Sequence, residues 1–288
     1  MQLRAYLQLL RPANVTTVLA DVLAGYAVAG LGHRSALPWL LFATAGLYGG
    51  GVVLNDFFDR KLDALERPER PIPSGRVRPA GAAWLGVLCL AAGVASACRA
   101  STEAGVIACA IAVLVIAYDT WSKRHNVLGP VTMGACRGLN LVLGMAAVPA
   151  VLAVRWELAV LPFSYICAVT ALSRGEVHGG SRRIALLALA AVGTVIAVLL
   201  ALALRSGPRA ALAGLLTGLL AWRVLPALWR AYDQGGAATI RSAVKAGVLS
   251  LVMLDAAVAA IYAGTFYGVL VLAVALLAGG LSRLFAVT

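Results

Sequence analysis

Asn55, Asp59 and Asp63 stand at i, i+4 and i+8 in the run from Asn55 to Gly75, NDFFDRKLDALERPERPIPSG. Side chains four apart stack on one helix face, so a helix here carries a single ridge of oxygen-bearing groups. Asp56 flanks that ridge, and five of the chain's twelve acids lie between Asp56 and Glu69. An apolar run long enough to cross a bilayer leads straight into them. Carboxylates at such a place are costly and usually functional. Several of them facing one way, with basic residues close behind, suit a magnesium-bound diphosphate. Pro68, Pro71, Pro73 and Gly75 stiffen the continuation, which lowers the entropy of holding a site. The plainer alternative is a solvated loop with casual charges.

Two more polar stretches end apolar runs. Tyr118 to Arg124 (YDTWSKR) offers Lys123 and Arg124 to phosphate oxygens. Its bland reading is a basic anchor with an interfacial Tyr/Trp belt. Ser173 to Gly180 (SRGEVHGG) offers Arg174, Glu176 and His178. Glu176 is a candidate metal ligand, water-orienting group or base, and His178 a candidate base or donor. Their bland reading is a polar helix end closed by glycine. Asp21, Arg137, Asn140 and Asp255 lie inside apolar runs and need partners there. Arg137 and Asn140, three apart, share a face, either in an internal Asp–Arg pair or in contact with substrate. Asn14, which opens the first apolar run, is a candidate cavity residue with them.

These groups need elements to hold them. The 288 residues are 61% hydrophobic and 12% charged, and mean hydropathy is +0.90. A soluble domain carries about 25% charged residues, so this is an integral membrane protein. No polar stretch is long enough for a second domain, and residues 1–288 read as one helical unit. A span needs about 20 apolar residues. Ten candidates fall near 14–31, 36–55, 79–98, 104–121, 127–150, 157–173, 183–204, 209–229, 242–263 and 265–286. Arg223 interrupts the eighth. The last two are so close that they form a tight hairpin or one is re-entrant. Residues 1–12 read as an amphipathic helix on the membrane surface, with Leu3, Tyr6, Leu9 and Leu10 apolar, and not as a cleaved signal peptide.

Lys and Arg total seventeen on the side of the N-terminus and even-numbered loops, against five opposite. This places the N-terminus and the Asp56–Arg78 loop in the cytoplasm, in what reads as a bacterial plasma membrane. The net charge of +12 therefore reports topology and implies no nucleic-acid partner. Cys89, Cys98, Cys109, Cys136 and Cys167 have no paired spacing and read as buried thiols. Gly49, Gly50 and Gly51 allow close approach, either by a helix or by a ligand.

The run Asn55, Asp56, Asp59, Asp63 resembles the NDxxDxxxD motif of the UbiA superfamily of intramembrane prenyltransferases. The resemblance extends over nearly the whole chain. Arg11-Pro12 precedes the first span, RPIPSG continues the motif, and Tyr118 with Lys123-Arg124 follows the fourth span. DALERPERPIPSG, GACRGLNLVLG and SRGEVHGG are similar to the EboC-type branch. The resemblance implies an all-α transmembrane bundle of about nine helices around a central cavity open to lipid. The ten spans counted here exceed that by one, most simply the C-terminal segment. It also implies Mg2+ and a prenyl diphosphate, with Asn55, Asp59 and Asp63 holding metal and Asp56 close by. Lys123 and Arg124 then touch the diphosphate, with Arg67 and Arg174 as further basic candidates. Tyr118, Arg137 and Asn140 become cavity residues.

One departure stands out. The usual second motif has two aspartates four apart, whereas Glu176 is the only acid in the corresponding loop. Asp59, Asp63, Glu176 and His178 are the catalytic candidates, with Phe57, Phe58, Tyr118 and Trp121 as aromatic faces for an allylic cation. The implied activity is transfer of a prenyl group to a small acceptor. A membrane terpene cyclase on the same fold is a rival. A transporter or lipid-binding protein without chemistry is another, although no internal repeat supports it.

Overall fold

The computed structural model describes residues 2–177 and 179–284, and the side chains of all these except 2–3, 13–14, 209 and 275–284. Among the described residues every regular element is a helix. In chain order these are α1 (Gln2–Leu10), α2 (Pro12–Val28), α3 (Ala36–Glu66), α4 (Pro79–Ala100), α5 (Thr102–Thr120) and α6 (Leu128–Met145). There follow α7 (Pro149–Arg155), α8 (Val160–Ser173), α9 (Arg182–Arg205), α10 (Ala211–Gln234), α11 (Ala237–Ala263) and α12 (Thr265–Leu284). A 3₁₀ turn at Trp156–Ala159 joins α7 to α8, so that Pro149–Ser173 reaches across as one unit.

Seven helical units are long and apolar enough to cross a membrane, and α2 and α12 contribute shorter apolar stretches. The remaining long helix is α6, which carries Arg137 and Asn140. Each of the ten expected spans thus coincides with an element. Phe42, Trp84, Val106, Leu187 and Trp222 are all more than 60% exposed on the outer surface. Apolar groups pointing outward in this number match lipid as the surrounding solvent.

Two apolar cores make up the bundle. One is built on α2 to α5 and α12, the other on α8 to α11. They meet at α2, α6 and α11, which hold the buried polar groups Asp21, Asn140 and Asp255. Close approach makes this seam. A Cβ added at Gly25 of α2 would lie 2.0 Å from the Leu141 carbonyl oxygen of α6. Gly25→Val therefore has to push α2 off α6. It should cost about 3 kcal/mol or more, read as a lower thermal unfolding midpoint in detergent.

Gly50 serves the same end, since a Cβ there would sit 2.7 Å from the Gly86 carbonyl of α4. Helix packing therefore accounts for the middle of the Gly49–Gly51 run. The α11–α12 junction is a tight hairpin at Gly264, whose φ of 85° favours glycine.

Two expectations need correction. The apolar side of α1 is covered by protein rather than lipid. Ala5 and Leu9 are buried against Val53, Ile72, Val77 and Ala82, because the loop after α3 folds back over them. The cysteines are free but none is fully buried: Cys89, Cys136 and Cys167 are half-buried and Cys98 and Cys109 are exposed. Thiols are weakly polar and tolerate an apolar surrounding outside the bundle as well as inside it.

Candidate active site

The ridge predicted by spacing forms as one continuous helix. α3 has 31 residues, about 46 Å at 1.5 Å per residue, against a hydrocarbon thickness of about 30 Å. Its last turns therefore carry the acids beyond the apolar zone without a break in the backbone. Arg67 ends it, with its N–H bonded to the Asp63 carbonyl.

The chain after Arg67 explains the prolines. The Ser74 N–H bonds to the Arg70 carbonyl and the Val77 N–H to the Pro71 carbonyl. Gly75 takes φ 75°. Ile72 and Val77 insert beside Leu9, and Arg70 is swung back onto the acidic face. Its Nη1 lies 2.7 Å from Asp63 Oδ2 and 3.3 Å from Asp56 Oδ1.

Arg11 reaches Asp56 from the other side at 2.6 Å. It sits between α1 and α2 with φ 46°, ψ 60°, a left-handed conformation that costs a non-glycine residue about 1 kcal/mol or more. Pro12 fixes the start of α2 directly after it. Lys123, in the 3₁₀ turn Ser122–Arg124, donates to Asp59 Oδ1 at 2.6 Å. Three cations from three separate segments thus face the two aspartates of the ridge and Asp56 beside it.

A cavity of about 350 Å³ opens beside this mouth, between α2, α3, α5 and α6. Its mouth has Arg11, Asn55, Tyr118 and Asp119; its walls include Val18, Leu47, Ile111, Val115 and Met133; Thr44, Arg137 and Asn140 also line it. Asn55 Nδ2 donates to Asp119 Oδ1 at 2.8 Å. Deeper in, Arg137 Nε lies 2.8 Å from Asp21 Oδ2. Asn140 donates to the same oxygen at 2.9 Å and accepts from Thr44 at 2.6 Å. Arg137 therefore makes the internal Asp–Arg pair and also lines the cavity. A larger groove of about 580 Å³ lies on α9 and α10, walled by Leu189, Leu225, Pro226, Trp229 and Arg230. It holds no acid and none of the motif residues.

The other sequence candidates fall elsewhere. Arg67 and Arg124 are exposed. Arg174 donates to the backbone carbonyls of Lys123 and His125 and to Asn126 Oδ1. It ties the loop after α8 to the loop after α5. Glu176 is half-buried, and burial raises its carboxyl above the usual range while Arg241 opposes that rise. It does not line the cavity. His178 and the side chain of Asn14 lie outside the described residues. Of the four aromatic candidates, only Tyr118 lines the cavity. Phe57 packs under Arg60, and Phe58 and Trp121 are exposed.

Three participants were not singled out from sequence: Arg11, Arg70 and Asp119. An acid closing an apolar span was the available signal for Asp119. Arg11 and Arg70 stood in the sequence as parts of Arg11-Pro12 and RPIPSG, but their pairing with the α3 acids is visible only once the chain folds back.

Among the described residues no three His, Cys, Asp or Glu side chains form a ready cation cage. The donors at and next to the mouth are nevertheless all hard oxygens: the Asn55 amide and the Asp119 carboxylate and, one turn further along α3, the Asp59 carboxylate. Magnesium binds through one or two carboxylates and completes its shell with water and substrate phosphates. The residues therefore fit an open magnesium site better than a closed one.

The fold and the site define the class of an integral membrane helical bundle with an acidic helix end and basic partners beside an apolar cavity. The UbiA prenyltransferase family model matches residues 18–288, and the chain belongs to that family. Digeranylgeranylglyceryl phosphate synthase of Methanopyrus kandleri is 34% identical over 153 residues, 52% of this chain and 56% of that protein. The enzyme of the same name from Methanothrix thermoacetophila is 35% identical over 146 residues, 50% and 55% of the two chains. The chain thus spans about half the length of the curated relatives it matches.

Among solved structures, one of digeranylgeranylglyceryl phosphate synthase superposes with TM-score 0.68 at 17% identity, covering 90% of this chain and 97% of that one. The apo UbiA homologue of Aeropyrum pernix K1 gives 0.67 at 18%, over 84% and 96%. The Archaeoglobus fulgidus homologue bound to GPP and Mg2+ gives 0.55 at 15%, over 93% and 99%. At these identities the likeness is one of fold.

Proposed function

We propose that this protein transfers a prenyl group from a prenyl diphosphate to a hydroxyl-bearing acceptor. One observation carries the reading. The apolar cavity opens at Arg11, Asn55 and Asp119, one helical turn before Asp59 and its partner Lys123, so a greasy chain and an anionic head can be held side by side. The A. fulgidus homologue was solved with GPP and Mg2+, which supports the same donor and metal here. The names of the curated relatives favour an acceptor of the glyceryl phosphate kind.

The chemistry breaks the bond between the allylic carbon and the diphosphate oxygen, and the electron pair leaves with diphosphate. The acceptor oxygen then bonds to that carbon and releases its proton. Asn55, Asp59 and Asp63 would hold magnesium, which when bound neutralises the departing diphosphate. Lys123 adds positive charge at the same locus. Arg11 and Arg70 keep the neighbouring carboxylates fixed. Val18, Leu47, Ile111 and Val115 exclude water from the reactive carbon. The Tyr118 ring offers its face to developing positive charge.

The test is incubation of the purified protein with magnesium and C10 to C20 prenyl diphosphates, with and without glyceryl phosphate lipids. Acceptor-dependent release of diphosphate, matched by a product one prenyl group heavier than the acceptor, is expected, and EDTA should abolish it. A cyclic product from the diphosphate alone would favour the cyclase. The absence of turnover under all these conditions would leave only a binding or transport role.

A further inference from the structure

We propose that Asp119 supplies the carboxylate that the loop after α8 lacks, as an additional oxygen ligand to the divalent cation at the cavity mouth. The proposal rests on the prenyl diphosphate reading and assigns a residue within that site. Asp119 is 3% exposed and closes α5. Its Oδ1 accepts from Asn55, the first residue of the acidic motif. Its Oδ2 is buried and has no hydrogen-bond partner among the described residues. A buried charged oxygen without a donor is destabilising, and a native site rarely leaves one so. This one belongs to a residue lining the cavity.

Charge pairing isolates Asp119 further. Asp56 faces Arg11 and Arg70, Asp63 faces Arg70, and Asp59 faces Lys123. Among the described residues no cation lies within ion-pair distance of Asp119. Lys123 acts on it only from beyond that distance, and its bonded neighbour is the motif asparagine. Glu176, the acid of the loop after α8, is opposed instead by Arg241. α5 thus places an acid across the mouth from α3, where a cation would be gripped from two helices.

Two measurements test this on the full chain in detergent. In the first, Mn2+ binding is titrated by electron paramagnetic resonance with unreactive geranyl thiodiphosphate present. Asp119→Asn keeps an oxygen for the Asn55 hydrogen bond but removes the charge. Its half-saturating Mn2+ should rise about tenfold or more, while Asp119→Glu and the exposed control Thr120→Ala stay within about threefold of wild type. Unchanged Mn2+ binding by Asp119→Asn would overturn the proposal, leaving Asp119 as a partner of Asn55 alone.

In the second, Fe2+ with ascorbate and peroxide cuts the wild-type backbone beside its metal ligands. Cuts at residues 55–63 and again at 118–120 are expected, and cuts confined to α3 would overturn the proposal. Wild-type protein that bound neither Mn2+ nor the analogue would overturn the proposal and the prenyl diphosphate reading together.

Discussion

Asp59→Ala should lower the rate of prenyl transfer by about a thousandfold or more, since removing a single charge-stabilising group often costs two to three orders of magnitude. Asp59 is the middle group of the ridge and the one already facing a cation from α5's loop. Removing it would take away one of the proposed metal oxygens together with the partner of Lys123. The fold should hardly notice. Asp59 and Lys123 are 29% and 16% exposed in their side chains, and pairs open to solvent contribute about 1 kcal/mol or less. The two readings separate by measuring turnover and thermal unfolding on the same preparation. A large loss of rate with an unchanged midpoint is expected, and full activity would remove Asp59 from the site.

Arg70→Leu should act in the opposite way, through stability first. Asp56 and Asp63 are 7% exposed in their side chains, and Arg70 bridges them at 3.3 and 2.7 Å. Taking one partner from a buried ion pair costs about 3–5 kcal/mol, because the remaining charge stays buried. Asp56 keeps Arg11, so the lower end of that range applies, and Asp63 carries most of the loss. The loop that Arg70 anchors also covers Leu9 through Ile72 and Val77. Its release should free α1 as well as the acids. Arg70→Lys should recover only part of the loss, since both contacts are made by Nη1 at the tip of the longer arginine side chain, a position the lysine ammonium does not reproduce. Thermal unfolding of the three proteins, with protease sensitivity between Glu66 and Pro79, checks the order wild type, Lys, Leu.

The contrast between these two sites shows what could be read without coordinates. Helical period is a local property. Asn55, Asp59 and Asp63 therefore announced their shared face, and the ten apolar runs announced their helices. Lys123 came from its place at the end of a span. Arg70 and Arg11 did not come so readily, because their roles depend on a proline-bent loop and a left-handed corner folding back onto α3.

Arg174 shows the reverse case. Its sequence position suits a phosphate, but its guanidinium ties two loops together. Phe57, Phe58 and Trp121 were close in sequence to the chemistry, yet side-chain direction on a helix turned them away from the cavity. Arg137 and Asp21 were each recognisable as needing a partner. That they find one another, with Asn140 beside them, required the close α2–α6 approach that Gly25 permits.

The central claim is that the diphosphate head lies between the end of α3 and Lys123, with its chain in the cavity beside α2, α5 and α6. An experimental structure with magnesium and geranyl thiodiphosphate tests it most directly. The account predicts diphosphate density against Asn55, Asp59, Asp63 and Lys123, and the geranyl chain along Val18, Leu47 and Ile111. Density for the analogue in the groove of Leu189, Leu225 and Trp229, with none against Asn55, Asp59 and Lys123, would contradict it.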